Sequence, residues 1–123
     1  MRKLATLVLA VGMAACANDV TSPSTSVNGN YTLRTVNGTS LPYTFSNGLQ
    51  LVSEQLTLNT DGSFTDASRY SNGQTSVDSG SYTNLNGAIT FYDSTAGFTY
   101  QGSLSGTVLT EIQNGYTQTF QKN

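Results

Sequence analysis

Apolar and polar residues alternate along most of the chain from residue 28 onward. Leu56 and Leu58, for example, flank the polar Thr57. A period of two places successive side chains on opposite faces of a β-strand, with one face buried and the other in water. These segments are also rich in Thr, Tyr, Phe, Val and Ile, which favour a pleated, half-buried surface. No segment has a sustained helical period, so we predict an all-β domain.

Turns that contain glycine separate these segments at short, nearly even intervals. They lie 9 to 14 residues apart, at Asp61-Gly62, Asn72-Gly73, Asn86-Gly87, Ala96-Gly97, Ser105-Gly106 and Asn114-Gly115. Asn-Gly and Asp-Gly adopt positive φ at low cost and fit two-residue hairpin turns. Between the turns we predict eight strands, at residues 31–36, 51–59, 63–70, 75–83, 88–93, 98–104, 107–113 and 116–122. Hairpins throughout favour an eight-stranded antiparallel up-and-down barrel, which leaves no edge exposed, and a small open sandwich is the alternative.

The N-terminus has a different pattern, typical of an export signal. Arg2 and Lys3 precede an uncharged apolar run over residues 4–13, and Ala14-Ala15-Cys16 ends it. This run is far shorter than the roughly 20 residues needed to span a bilayer. It resembles a bacterial lipoprotein signal, which implies cleavage before Cys16 and acylation of that residue with chains such as palmitate. An ordinary secretory peptide is the alternative, but Cys16 is the only cysteine, which favours a special use of its thiol.

These features divide the chain into three parts. Residues 1–15 are the predicted signal peptide, 16–27 the acylated cysteine with a flexible tether of small polar residues, and 28–123 the barrel domain. No Asp follows Cys16. By resemblance to lipoproteins of enteric bacteria, the protein is expected in the cell envelope, lipid-anchored to the outer membrane and exposed to the periplasm.

The charge balance narrows the partners. Without residues 1–15, three basic residues remain against seven acidic ones, a net charge of −4. Such a surface repels nucleic acid and anionic headgroups, so we expect no nucleic-acid partner. The lipid on Cys16 is then the expected membrane anchor, and a protein partner remains unidentified.

Two terminal motifs resemble those of a known family. Gly29-Asn30-Tyr31 resembles the G-x-W opening of lipocalins and other calycins, and Phe120-Gln121-Lys122 resembles the last-strand segment whose basic residue lies across that aromatic ring. The resemblance implies a small bacterial lipocalin-like domain, with Gly29, Tyr31, Phe120 and Lys122 closing the barrel. An even number of antiparallel strands also returns the chain end to the rim where it began. The alternative is that Lys122 is a solvated terminal residue.

The opposite rim is the predicted binding site. It carries the longest connection, residues 37–49, and three shorter turns at residues 71–74, 94–97 and 114–115. The candidate ligand-binding residues are Tyr43, Phe45, Arg69, Tyr70, Phe98 and Tyr116. Calycin-like barrels take small apolar ligands through such a mouth, and Arg69 would offer a polar contact. The alternative is that Tyr43 and Phe45 fold inward as a plug.

The sequence gives little support for catalysis. The chain has no histidine, so Ser-His-Asp and Cys-His sites are excluded, and we expect neither a metal nor a cofactor. Glu54, Asp66 and Asp78 would point inward by simple alternation, where a carboxylate pair could serve a hydrolase. Bulges shift alternation, however, and unpartnered buried carboxylates are costly, so we predict that the protein is not an enzyme.

Two functions remain open. In the first, the barrel binds a small apolar or amphipathic molecule at the cell envelope. In the second, the barrel is solid and serves as an interaction or envelope-structural module that contacts another protein. An enclosed pocket of about 300 Å³ or more, lined by Phe and Tyr, would favour binding, and a core packed without voids would favour the interaction module.

Overall fold

The alternating segments form strands in the computed structural model, which describes residues 26–123. The strands are β1 (Gly29–Val36), β2 (Thr39–Ser40), β3 (Tyr43–Thr44), β4 (Gln50–Leu58), β5 (Ser63–Tyr70), β6 (Thr75–Leu85), β7 (Ala88–Asp93), β8 (Phe98–Ser105), β9 (Val108–Gln113) and β10 (Tyr116–Lys122). The bounds of β5, β7 and β10 match the prediction, and the other long strands differ by one or two residues at an end. Within this part of the chain, no helix has the length and apolar character needed to cross a membrane. The predicted signal, Cys16 and most of the tether lie outside the described residues.

The eight long strands close into an antiparallel up-and-down barrel. Strands β4 to β10 pair in chain order, and β1 pairs with both β10 and β4. Tyr31 of β1 therefore has Lys122 as its partner on one side and Leu56 on the other. This closure confirms the predicted barrel and shows that the sandwich alternative is wrong.

The connection between β1 and β4 is part of the barrel wall, where the sequence predicts only a loop. Strand β1 pairs with β4 only from Gly29 to Thr32. Further along, β2 pairs with the end of β1 and β3 pairs with the start of β4. The two short strands thus replace the direct β1–β4 pairing towards the mouth and carry Tyr43 and Phe45 to that rim.

Apolar side chains fill the half of the barrel nearest the chain ends. Its fully buried members, which we call the lower core, are Tyr31, Leu56, Leu58, Phe64, Ile89, Phe91, Leu109 and Phe120. The Phe91 ring stacks on Tyr100 with 4.8 Å between centroids and meets Phe64 edge-on at 5.4 Å. Each such side chain stabilises the fold by about 1.5–3 kcal/mol through burial alone. This half of the barrel is solid.

The start of β1 and the end of β10 meet at the lower rim, as the sequence predicts. Lys122 Nζ lies 5.9 Å from the Tyr31 ring centroid and donates a hydrogen bond to the Ser26 carbonyl at 2.8 Å. Gly29 has φ +143°, and a Cβ there would lie 2.9 Å from Lys122 Cε, so glycine suits both the backbone and the space.

One predicted boundary is wrong at this rim. Val27, which the sequence places in the tether, is only 5% exposed, and its carbonyl accepts a hydrogen bond from the Tyr31 hydroxyl at 2.6 Å. Ser26 and Val27 therefore belong to the folded contacts, ahead of the predicted start at residue 28. Composition concealed this because a single apolar residue at the end of a polar segment gives no periodic signal.

Candidate functional site

Above the lower core, the barrel interior becomes acidic. Five inward-facing carboxyl groups, which we call the carboxylate belt, come from five strands: Glu54 of β4, Asp66 of β5, Asp78 of β6, Asp93 of β7 and Glu111 of β9. Each continues the inward alternation of its strand, as Glu111 does two residues after the buried Leu109. Glu54, Asp93 and Glu111 are 5%, 2% and 0% exposed. The interior is thus divided into an apolar lower half and an acidic upper half.

Glu54 and Asp66 form a carboxyl pair that shares one proton. In the β4–β5 register, Glu54 lies opposite Ser68 and Leu56 lies opposite Asp66, so the two acids are diagonal neighbours on the inner face. Burial raises the pKa of both groups, and the pKa of Asp66 is raised further by the negative charge of Glu54 and by donation of its own proton to Glu54. Of the two groups, Asp66 thus has the more strongly raised pKa.

Asp78 and Asp93 form a second pair on the next two strands. The hydrogen bond to Asp93, followed by burial and by the charge of Asp93, raises the pKa of Asp78 to about 6. Asp93 Oδ1 also accepts a hydrogen bond from the Ala96 backbone N–H at 2.9 Å, which fixes this carboxyl group against the β7–β8 turn. Asp78 thus changes its protonation state close to neutral pH.

Two glutamine side chains link Glu111 to the first pair. Gln113 Nε2 donates to Glu111 Oε1 at 3.4 Å and to Gln118 Oε1 at 3.0 Å, and Gln118 Nε2 donates to Glu54 Oε1 at 3.3 Å. Burial is the main cause that raises the pKa of Glu111 well above its usual range. Gly102 lies opposite Glu111, and a Cβ there would lie 3.0 Å from the Phe91 ring, so a larger residue would push into this packing.

Two belt oxygens have no hydrogen-bond donor. Asp66 Oδ1 and Glu111 Oε2 are both buried and accept no hydrogen bond. Of the basic residues between 26 and 123, Arg34 and Arg69 are exposed on the outer face and Lys122 lies at the opposite rim. In the same range, no three acidic side chains are arranged to hold a metal ion. The belt therefore has more hydrogen-bond acceptors than donors, and no basic side chain of residues 26–123 lies close enough to balance its negative charge.

Four aromatic side chains converge above the belt. Phe45 is the centre of this mouth cluster, with ring centroids 5.3 Å from Tyr43, 5.9 Å from Tyr116 and 6.5 Å from Tyr70. A turn holds Phe45 in place, since its N–H donates to the Leu49 carbonyl and its own carbonyl accepts from Gly48 N–H. All four rings are only half-buried. They narrow the mouth without sealing it.

A cavity of about 180 Å³ lies between the mouth cluster and the carboxylate belt. Phe45, Tyr70 and Tyr116 form its aromatic wall. Glu54, Asp66, Asp78, Ser68, Gln113 and Gln118 form its polar wall. The volume is below the about 300 Å³ typical of the smaller ligand pockets, yet the upper barrel is not packed solid. The cavity therefore matches neither of the two interiors that the sequence left open, and it is more polar than expected.

Four of the six predicted ligand-binding residues come together in the mouth cluster, namely Tyr43, Phe45, Tyr70 and Tyr116, and the last three of them line the cavity. The other two, Arg69 and Phe98, lie away from it. Arg69 is exposed on the outer face, because it is adjacent to the inward-facing Tyr70 and strand neighbours point to opposite sides. The Phe98 ring packs on Tyr100 at 5.6 Å and does not line the cavity.

Sequence reasoning missed two acids and an amide of this site. Asp93, Glu111 and Gln118 each follow the inward alternation, two residues after Phe91 and Leu109 and two before Phe120. The same signal pointed Glu54, Asp66 and Asp78 inward, and the structure confirms that orientation. The signal was available for all six residues, but the cost of burying an acid argued against it.

Comparison of the chain with protein-family models, with curated proteins and with solved structures finds no match to any of the three.

Proposed function

We propose that the protein is a lipid-anchored lipoprotein of the bacterial cell envelope whose barrel binds one small amphipathic molecule at its mouth. The observation that supports this most directly is the cavity of about 180 Å³ between the mouth cluster and the carboxylate belt. One water needs roughly 10–15 Å³ on this measure, so the space suits a ligand of about ten non-hydrogen atoms. The role is one of binding, and no catalytic step is assigned.

The two walls of the cavity favour an amphipathic ligand over a wholly apolar one. Phe45, Tyr70 and Tyr116 offer ring faces and edges to an apolar body. Glu54 and Asp66 on the other side would lose hydrogen-bonding partners if only hydrocarbon reached them, which costs about 1–3 kcal/mol for each unsatisfied group. A bound molecule therefore needs both an apolar part and a polar end.

The position of the cavity fits attachment through Cys16. The described chain begins at Ser26, whose carbonyl contacts Lys122 at the lower rim. The cavity opens at the other rim, between the β1–β4 connection and the turn that follows β9. A tether that leaves from the lower rim would keep the mouth free for a ligand.

The alternative function is that of a module that contacts another protein. The lower core supports it in part, because apolar side chains fill that half of the barrel. Leu85, Val77 and Ile112 are also 75%, 61% and 59% exposed, as a protein-contacting surface would require. Val77 and Ile112 lie on strands that do not pair with each other, however, so they form no continuous patch. An interaction module is thus the less favoured proposal.

Extraction of the protein from its native membranes, followed by mass spectrometry of small molecules released on unfolding, tests the binding function. We expect one recurrent molecule in stoichiometric amount. Ser68 lines the cavity, so Ser68→Leu should fill it and abolish this signal, while Ser79→Leu on the exposed face should not. Protein that carries no small molecule, in the parent and in both variants, would favour the interaction module.

A further inference from the structure

The carboxylate belt and the mouth cluster together indicate what kind of molecule the cavity selects. Three belt members, Glu54, Asp66 and Asp78, line the cavity, and no basic side chain among residues 26–123 faces them. No cation of this part of the chain neutralises whichever of these carboxyl groups are ionised, and the low-dielectric walls concentrate their field in the cavity, which attracts a positive charge. An anionic ligand would be repelled by the same field.

The donors that the protein itself supplies to the belt are already used. Gln118 Nε2 donates to Glu54, and Gln113 Nε2 divides its donation between Glu111 and Gln118. Asp66 is one of the residues that line the cavity, and its buried Oδ1 accepts no hydrogen bond. Buried acceptors are nearly always paired, so this oxygen is a specific position for a donor that comes from outside the chain.

The aromatic wall adds an independent preference. Phe45, Tyr70 and Tyr116 surround the same space, and the negative faces of such rings attract cations. Rings on one side and carboxyl groups on the other are the two surfaces that bind an ammonium or guanidinium group attached to an apolar body. Either surface alone would be less selective.

We infer that the ligand is a small organic cation, a primary amine or guanidine on an apolar or aromatic body, whose N–H groups donate to Asp66 and Glu54 beneath the mouth cluster. This inference rests on the proposed binding function and specifies its ligand class. The cation replaces the proton that Asp66 shares with Glu54, and that proton leaves to solvent. The other titratable groups near the pair are Asp78 on the adjacent β6, Tyr70 on β5 and Glu111 across the barrel on β9, and none of them carries a positive charge.

The test uses three probes of nearly equal shape and different charge. The lipoprotein, held in phosphatidylcholine nanodiscs, is titrated calorimetrically with 2-phenylethylamine, 2-phenylethanol and phenylacetate, with empty nanodiscs as the blank. We expect the amine to bind at least tenfold more tightly than the alcohol, phenylacetate not to bind, and protons to be released when buffers of different ionisation enthalpy are compared. Asp66→Asn and Glu54→Gln should each weaken the amine at least tenfold, and Asp61→Asn, at an exposed turn, should not. Thermal unfolding of each variant shows that it is folded.

The possible negative results distinguish a failure of the cation inference from a failure of the proposed binding function. Equal binding of the alcohol and the amine, or an unchanged amine affinity in both belt variants, overturns the cation inference and leaves small-molecule binding in place. Calcium chloride that binds more tightly than the amine and depends on Asp66 would also overturn it, in favour of a metal. If no probe binds, the result depends on the molecule extracted from native membranes. A cation supports the inference, and a neutral or anionic molecule overturns it. If the extract contains no bound molecule, the binding function is overturned as well.

Discussion

Lys122 lies over the Tyr31 ring, with 5.9 Å between Nζ and the ring centroid, and thereby joins the end of the last strand to the start of the first. The same Nζ donates a hydrogen bond to the Ser26 carbonyl. This one ammonium group therefore holds together β1, β10 and the chain segment that enters the barrel. Burial raises the pKa of Tyr31 to about 12, so the ring carries no charge of its own at neutral pH.

We predict that Lys122→Met lowers the free energy of unfolding by about 1–2 kcal/mol, because it removes a cation–π contact and a charged hydrogen bond but keeps the aliphatic stem. Urea denaturation measures the difference. Lys122→Arg is the matched control and should retain most of the stability. A Met variant as stable as the parent would mean that Lys122 is only a solvated terminal residue.

Stability should rise as the pH falls from about 7 towards about 4, which is unusual for a protein. The pKa of Asp78 is about 6 in the folded chain against an ordinary value of 3.8, and burial also raises the pKa of Glu54, Asp66 and Glu111. A carboxyl group with a higher pKa in the folded state binds its proton more tightly when folded, so its contribution is fully present below the unfolded pKa and is lost as pH rises through the folded one. Thermal unfolding followed by circular dichroism from pH 4 to 8 checks this.

The control for the pH dependence is Asp78→Asn, which should flatten the curve between pH 4 and 6, in the window that the pKa values of Asp78 define. Asp61 has the opposite effect on the pH dependence of stability, because its hydrogen bonds with Ser63 lower its pKa, but it is a single exposed group. A melting temperature that falls steadily from pH 7 to pH 5 in the parent would contradict the proton-sharing pairs.

Phe45→Ala distinguishes a ligand contact from a plug. Phe45 is half-buried, so a contact role predicts a loss of about 1–2 kcal/mol in the free energy of unfolding together with weaker ligand binding. Phe91→Ala, at a fully buried ring in the lower core, is the comparison and should cost about 3–5 kcal/mol. If the two variants prove equally destabilised, Phe45 is a plug and the mouth is closed.

Most of the fold could be predicted from the sequence because its turns are local signals. Asn86 and Asn114 adopt positive φ immediately before a glycine, as these Asn-Gly turns indicated, whereas at Asn72-Gly73 only the glycine does. The two short strands β2 and β3 were not predicted, although Asn37-Gly38 forms the two-residue turn between β1 and β2. The pairing of β3 with β4 depends on the departure of β1 from β4 beyond Thr32, which is a property of the closed barrel.

The site was predicted less well, for reasons of strand geometry and of energy. Tyr70 was placed correctly, but its neighbour Arg69 was assigned to the same site although alternation sends it outward. Phe98 belongs to the correct rim by topology, yet barrel strands are tilted, so residues that begin or end strands at one rim do not all reach one point. Glu111 is not among the predicted site residues, and its partners Gln113 and Gln118 become visible only when β9 and β10 are paired.

The anchoring proposal has its own test at Cys16. We predict that intact-mass analysis of the mature protein shows a chain that begins at Cys16 and carries two or three acyl groups. Cys16→Ser should leave the protein soluble or unprocessed when cell fractions are compared. An unmodified cysteine in the mature parent protein would show that the N-terminal segment is an ordinary secretory signal.

The most direct test of the binding claim is an atomic-resolution crystal structure of the protein purified from its native membranes. The account predicts continuous non-water density in the cavity, with an apolar end against Phe45 and Tyr116 and a polar end within hydrogen-bonding distance of Asp66 Oδ1. Separate water peaks on Asp66, or side chains of the mouth cluster folded down to fill the cavity, would contradict it.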